Sequence, residues 1–152
     1  MKKLFAVILT VALLMSLSVT AFAANTTGGD ADITTSINPT YTVTIPADVN
    51  VQFNATETAF GAIEVAASQI HPDKCIKVAL TTDKELNNAI DNTKVIPYAI
   101  KDSEGAAFTS ATYLTEGDKT ELSIHITAND WNAAYAGDYS DTVTFTVSYE
   151  DK

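Results

Sequence analysis

Arginine is absent from the 152 residues, and all nine basic residues are lysines against nineteen Asp and Glu, which gives a net charge of −10. Binding to a nucleic acid requires clustered Lys and Arg that displace counterions from the phosphates. Docking to an anionic membrane surface also requires a basic patch. The composition therefore excludes nucleic acid and anionic lipid as partners.

Cysteine is almost absent as well, because Cys75 is the single cysteine. No internal disulfide can form, so the fold must rest on its hydrophobic core, for which about 130 residues suffice. Cys75 begins an alternating run over residues 75–80. It is either a small residue near a strand end or a thiol open to intermolecular disulfide formation or other reaction.

The residue groupings of common catalytic sites are also missing. The two histidines, His71 and His125, stand far apart and are expected at the surface, and no His-x-His, His-Glu-x-x-His or Cys-x-x-Cys spacing occurs. Such spacings mark zinc sites. A Gly-x-Ser-x-Gly elbow and a glycine-rich phosphate loop are absent too. The sequence therefore predicts a non-enzymatic protein without an organic cofactor.

One long apolar run is present, and it lies at the N-terminus. Lys2 and Lys3 precede apolar residues 4–15, and Ala21-Phe22-Ala23 has the small-x-small pattern of a cleavage site. This arrangement predicts a signal peptide over residues 1–23 and a secreted, extracellular protein at the cell surface. An uncleaved signal anchor is the alternative reading. Residues 24–31 are small and polar, which predicts a flexible tail.

Residues 32–152 show the period-two alternation of half-buried strands. Tyr41, Val43 and Ile45, for example, alternate with threonines. Short strands separated by turns and without intervening helices predict one all-β domain, an antiparallel immunoglobulin-like β-sandwich of about seven to nine strands. The predicted strands cover residues 33–37, 40–45, 49–53, 62–66, 75–82, 95–100, 108–114, 122–127 and 139–149.

Two stretches carry helical signals, and one strand carries a proline. Residues 83–92 have apolar residues at helical spacing, and residues 129–136 are expected to start a turn with Asn129 or Asp130 as its cap. Pro97 lacks an N–H group, which predicts an edge or bulged strand around it.

The last predicted strand has two unlike faces. Val143, Phe145 and Val147 alternate with threonines, so we expect the apolar face to hold the core. The early strand also carries a threonine row. If the first and last strands are neighbours, the rows join into one uncharged ladder, although the strand propensity of threonine explains both rows equally well.

Residues 131–147, from Trp131 through Ala136-Gly137-Asp138-Tyr139 to Val147, carry a family resemblance. This Ala-Gly-x-Tyr turn before a Thr/Val strand is similar to the end of WxL-type surface domains of Gram-positive bacteria and of secreted pilins of the spore coat U type. The signal peptide and residues 41–46 resemble small exported surface proteins of Clostridia-like bacteria. The resemblance implies an immunoglobulin-like, non-enzymatic surface module that is pilin-like or part of a surface layer.

Three acidic residues, Asp130, Asp138 and Asp141, surround the turn before the last strand. Carboxylates in the loops of exported β-proteins can hold Ca²⁺, so these residues are candidate calcium ligands, calcium being the one cofactor considered. Their spacing matches no EF-hand loop, and solvated surface charge is the alternative explanation.

Three aromatic residues, Trp131, Tyr135 and Tyr139, lie close together in the same region. They could form a stacking platform for cell-wall or host polysaccharide. Alternatively, Trp131 plugs the end of the sandwich and Tyr139 is a corner residue.

A third candidate function lies in the segment that precedes the first alternating run. Ile33 and Ile37 could anchor residues 32–37 on the sheet edge of a neighbouring copy by strand addition. The same residues could instead form the first strand of their own domain. The sequence thus predicts a structural or adhesive module whose partners are copies of itself or other surface proteins, with a carbohydrate- or cell-wall-binding module as the alternative.

Overall fold

The computed structural model describes residues 30–152, which belong to two units, residues 30–36 and Ile37–Lys152. The predicted signal peptide and nearly all of the predicted tail lie outside the described residues. Residues 30–36 are exposed and form no strand. Within the described part of the chain, no helix is long and apolar enough to span a membrane.

Ile37–Lys152 is an all-β unit with one short helix. Its elements are β1 (Thr40–Thr44), β2 (Glu57–Gln69), β3 (Lys74–Thr81), β4 (Glu85–Asn88), β5 (Val95–Pro97), β6 (Ala99–Asp102), β7 (Ser110–Tyr113), β8 (Lys119–His125), α1 (Ala128–Ala133), β9 (Tyr139–Ser140) and β10 (Thr144–Asp151).

The strands form three antiparallel sheets. The first has the order β1-β2-β8-β6, the second β10-β3-β7, and the third β5-β4-β9. The second sheet keeps a continuous register from Thr144 opposite Thr81 to Asp151 opposite Lys74. Gly61, at φ +113, lies where the β2–β8 register shifts and lets Pro46 pack against its backbone.

One hydrophobic core joins the first two sheets. Ile63 and Val65 of β2 and Ile76 and Val78 of β3 are completely buried. Their spacing of two places each pair on one face of its strand, and burial of each side chain contributes about 1.5–3 kcal/mol. The third sheet adds Ile96 to the same cluster.

The two lateral sides of this core differ. On the β6 and β7 side, Phe108 N–H donates to the carbonyl of Ile100 at 2.9 Å, and Lys101 and Ala107 form a bridge, so backbone hydrogen bonds connect the two sheets. On the other side, β1 and β10 belong to different sheets and share no ladder. Aromatic contacts cross there, between Tyr41 and Tyr149 at 5.7 Å and between Phe60 of β2 and Phe145 at 6.0 Å.

This arrangement corrects two expectations for the last strand. β10 has a neighbour on one side only, so Phe145 is half-buried and Val147 is 38% exposed, and β10 borders the core instead of holding its centre. The predicted run over 139–149 also divides, because β9 pairs with β4 while β10 pairs with β3. The two threonine rows therefore lie on separate sheets.

Other local predictions were wrong. Residues 33–37 and 49–53 form no strand, and residues 83–92 contain β4 instead of a helical turn. Lys84 has a left-handed φ of 62°, and the side chains of Thr82 and Asp83 accept from the N–H groups of Lys84 and Glu85, so a turn replaces the first helical hydrogen bonds.

The helix starts at a different residue than predicted, whereas the strand that contains Pro97 lies where it was expected. Helix α1 starts after Thr127, whose Oγ1 accepts from Asp130 N–H at 3.2 Å, so the predicted caps Asn129 and Asp130 were wrong by two or three positions. The edge position predicted around Pro97 is confirmed, because β5 is the outer strand of the third sheet.

Candidate functional site

The free edge of β10 is the first candidate surface. In an antiparallel sheet both main-chain groups of a residue point to the same neighbour, and the direction alternates along the strand. Leu80 N–H donates to Thr109 at the start of β7, so Leu80 points away from β10 and Ala79 points toward it. Ala79 pairs with Thr146. Thr146 therefore bonds to β3, and the residues on either side of it point outward.

Three residues of β10 present unpaired main-chain groups by this alternation. They are Phe145, Val147 and Tyr149. Lys152 N–H donates to Asp73 O at 3.0 Å, which confirms that the even-numbered residues of this segment bond toward β3. Within residues 30–152, β10 pairs with β3 alone, so the alternation leaves the N–H and C=O groups of these three residues without a ladder partner. The edge thus offers a template for a further strand.

A groove of about 510 Å³ adjoins this edge. Phe60 and Phe145 lie in it, and Ile45, after β1, remains 45% exposed beside them. Asp48 and Asp141 are its charged lining residues, and no lysine or histidine side chain contributes to the wall. The main apolar lining residues are Ile45, Val49, Val51, Phe60, Val143 and Phe145.

Asp141 lies in the link between β9 and β10, at the end of the groove. Its Oδ2 accepts from the Thr82 hydroxyl at 2.7 Å and from the Tyr98 hydroxyl. Burial tends to raise the pKa of this carboxyl, but the hydrogen bonds from Tyr98, Thr82 and Thr142 outweigh it and lower the pKa. Burial and the hydrogen bond to Asp141 raise the pKa of Tyr98. Asp141 therefore fixes the start of β10 as an ionised carboxylate.

A second open cleft, of about 900 Å³, lies beside α1. Trp131 forms part of its floor, is 9% exposed, and donates its indole N–H to the carbonyl of Ala55 at 2.8 Å. Phe53 meets Trp131 edge-on at 5.6 Å and is 75% exposed. Asn54, at φ 65°, and a hydrogen bond from Ala55 N–H to Gln52 O shape the turn that holds Phe53 at the rim.

The predicted aromatic residues have unequal positions in this cleft. Tyr135 is 63% exposed, and Lys94 Nζ lies 5.0 Å above its ring. Tyr139 is half-buried, and its hydroxyl accepts from Tyr135 N–H at 3.1 Å and donates to Tyr135 O at 3.0 Å. The structure brings the three residues to one cleft, but Trp131 and Tyr139 are engaged in packing and main-chain hydrogen bonds.

The three predicted calcium ligands have separate partners. Asp130 accepts from Thr127, Asp141 from Thr82 and Tyr98, and Asp138 lines the cleft. In the part of the chain that the structure describes, no three His, Cys, Asp or Glu side chains gather as a metal site would require.

The remaining sequence candidates are distributed over the surface and the core. Ile33 is 98% exposed and Ile37 is 68% exposed. Cys75 is buried with its Sγ 3.7 Å from the carbonyl of Asp151. His125 contacts Ser123 at 2.9 Å, and His71 lies in an exposed turn with Asp73.

Sequence reasoning missed two parts of these surfaces. Tyr98 and Thr82 lie 43 and 59 residues from Asp141, so no local pattern could have connected them. Phe53 was assigned to a strand, whereas Asn54 after it, a residue type that tolerates positive φ, was the signal for a turn.

No protein-family model matches the chain, and no curated protein is significantly similar to it in sequence.

Proposed function

We propose that the protein is an exported, non-enzymatic structural subunit of a cell surface whose copies associate through the free edge of β10. The observation that carries this proposal is the row of unpaired main-chain groups at Phe145, Val147 and Tyr149. Strand addition at such an edge supplies affinity through main-chain hydrogen bonds and specificity through side-chain pockets.

The character of the edge supports association. Monomeric β-proteins protect an edge with proline, with inward-pointing charges or with a covering segment. The middle of β10 has neither a proline nor a charged side chain, because its residues are Phe145, Thr146, Val147 and Ser148. The charged residues Glu150 and Asp151 lie at one end and pair with Lys77 and Lys74 of β3.

An immunoglobulin-like sandwich is the architecture we infer for the unit. Two antiparallel sheets share one core, and the Tyr139 hydroxyl bonds to the main chain four residues upstream, as the tyrosine corner of such folds does. The resemblance of residues 131–147 to bacterial surface modules points in the same direction. Export rests on the pattern of residues 1–23.

The test is a proline on the free edge. Val147→Pro removes an N–H group that points away from β3, so the monomer keeps its own ladder while the edge loses a donor. Val147→Thr is the matched control, since it keeps the N–H group and the β-branched shape. Sedimentation velocity should show association in the native chain and in the control and monomers in the proline variant. A native chain that stays monomeric up to millimolar concentration would refute the proposal.

Binding of a cell-wall or host polysaccharide is the second candidate function. The exposed rings of Phe53 and Tyr135 beside Trp131 favour it, because aromatic faces and rims pack on the apolar faces of sugars. Trp131 is the only tryptophan, so its fluorescence reports on the cleft alone. Cellohexaose and a soluble peptidoglycan fragment should change this fluorescence in the native chain and not in Phe53→Ala. Unchanged emission with both probes would reject the second candidate.

A further inference from the structure

The free edge of β10 can be covered in two ways that lead to different assemblies. If β10 pairs with β10 of a second copy, the contact is symmetric and closes as a dimer. If another segment of the second copy adds to β10, the contact is asymmetric and leaves a donor at one end and a free edge at the other. Copies can then continue to add in a line.

We propose that residues 33–37 of a second copy add to the β10 edge, with Ile33 and Ile37 seated toward Phe145 and Val143 in the groove. This inference rests on the self-association proposed above and names the segment that carries it. In an extended strand Ile33, Thr35 and Ile37 share one face, and Thr34 and Ser36 share the other.

The exposure of the segment identifies it as a donor. Ile33 and Ile37 are among the most exposed large apolar side chains described, at 98% and 68%, and residues 30–39 form no strand. An extended segment with two exposed isoleucines at a spacing of four has the pattern of a strand that lacks its sheet.

The receiving edge has matching chemistry. Residues 33–47 contain no charged side chain, and neither do residues 142–149 of the β10 region. Phe145 and Val147 are only partly covered, and the groove beside them is lined by Ile45, Phe60 and Val143. An inserted strand therefore meets main-chain groups on one side and the side chains of Phe145 and Val147 on its inner face. The charged residues of the groove are Asp48 and Asp141.

The local backbone disfavours a two-residue hairpin that would return residues 33–37 to the edge of β1 in the same chain. Only Asn38 and Pro39 separate Ile37 from β1. A two-residue hairpin of the common I′ type needs positive φ at both central residues, which proline cannot adopt. Among the described non-glycine residues, only Asn54 and Lys84 have positive φ.

The experiment uses the secreted chain and two variants that each lack one half of the contact. The donor-deficient variant carries Ile33→Asp and Ile37→Asp, and the acceptor-deficient variant carries Val147→Pro. Thr34→Asp with Ser36→Asp is the matched control, because it adds the same charges on the other face of the segment. Trp131 emission and thermal unfolding check that each variant remains folded.

Donation predicts a specific pattern in sedimentation velocity. The native chain and the control should form species larger than dimers, and each deficient variant should be monomeric alone. A 1:1 mixture of the two deficient variants should form a heterodimer and nothing larger, because it contains one intact donor and one intact edge. The affinity of the donor-deficient variant for native edges should fall by roughly tenfold or more, since each new carboxylate would lose water against the Phe145 and Val147 side chains.

Other outcomes separate this inference from the proposed function. If the donor-deficient variant still forms dimers that Val147→Pro abolishes, β10 pairs with β10, and the inference is wrong while self-association stands. If the native chain is monomeric under all conditions, both are wrong. If the control loses assembly as fully as the donor-deficient variant, added charge and not the isoleucine face is responsible, and the inference fails.

Discussion

Removal of the Asp141 carboxylate should destabilise the fold through Tyr98 and Thr82. The Thr82 hydroxyl lies 2.7 Å from Asp141 Oδ2 and 2.8 Å from the Tyr98 hydroxyl oxygen, and both hydroxyl groups donate to the carboxylate. These contacts connect the residue after β3 and the residue between β5 and β6 to the segment that joins β9 to β10. The perturbations are Asp141→Ala, Tyr98→Phe and the double variant.

The expected magnitudes follow from the number of hydrogen bonds lost. A hydrogen bond to a charged group contributes about 1.5–3 kcal/mol. Because Asp141 is only partly buried, Tyr98→Phe should cost about 1.5 kcal/mol of unfolding free energy, at the lower end of that range. Asp141→Ala removes both acceptor contacts and should cost about 2–3 kcal/mol. The two residues share one contact, so the coupling energy should be about 1 kcal/mol.

The assay is urea unfolding followed by the emission of Trp131, which is 9% exposed and changes environment on unfolding. Each variant gives a free energy, and the double-mutant cycle gives the coupling. Additive effects, with no coupling beyond the experimental error, would refute the assignment of Tyr98 as a partner of Asp141.

Three further perturbations test the local geometry. Acid should destabilise the fold, because hydrogen bonds lower the pKa values of Asp118 and Asp141. The stabilisation that these two carboxylates contribute is present above the unfolded-state pKa near 4, and it is lost as the pH falls through the lower folded-state values. The urea midpoint should therefore drop between pH 5 and pH 2, and less steeply in Asp141→Asn, whereas equal slopes would contradict the assignment. Gly137→Ala should cost about 1–3 kcal/mol, because φ is +145° and a Cβ would lie 2.6 Å from Asn88 Nδ2; an unchanged melting temperature would argue against this close contact. Thr127→Ala should cost about 1 kcal/mol through loss of the α1 cap, and Thr127→Ser should restore most of it.

The sequence predicted well those strands in which the alternation of apolar and polar residues matches the alternation of buried and exposed side chains. Residues 75–82 were predicted as a strand, and β3 spans Lys74–Thr81 with Ile76 and Val78 fully buried. Both lateral neighbours of β3 are present, so one face is buried along its length, and period-two alternation reports that burial directly.

The wrong predictions share a physical cause. The apolar residues of 49–53 alternate, yet they flank an open groove and a turn without joining a ladder. Residues 83–92 owe their helical spacing partly to Ile90, which is 91% exposed and packs against no core. A short apolar pattern looks the same in residues that are buried within a sheet and in loop residues that cover the end of a sheet.

The candidate surfaces depend on pairing that local patterns do not encode. Alternation showed that Phe145 and Val147 share a face, but the choice of β3 as the neighbour of β10 decides which main-chain groups remain free. Trp131 and Tyr139 were placed near one another because they are close in sequence, whereas Phe53 reaches Trp131 only through the tertiary fold.

Residue-resolved hydrogen exchange of the protein at low and high concentration tests the central claim most directly. The amides of Phe145, Val147 and Tyr149 point to the free edge and should exchange rapidly in the dilute monomer. They should become protected in the concentrated sample, together with amides within residues 33–37. If these amides exchange at the same rate at both concentrations while the chain associates, the contact lies elsewhere and the β10 edge is not the assembly surface.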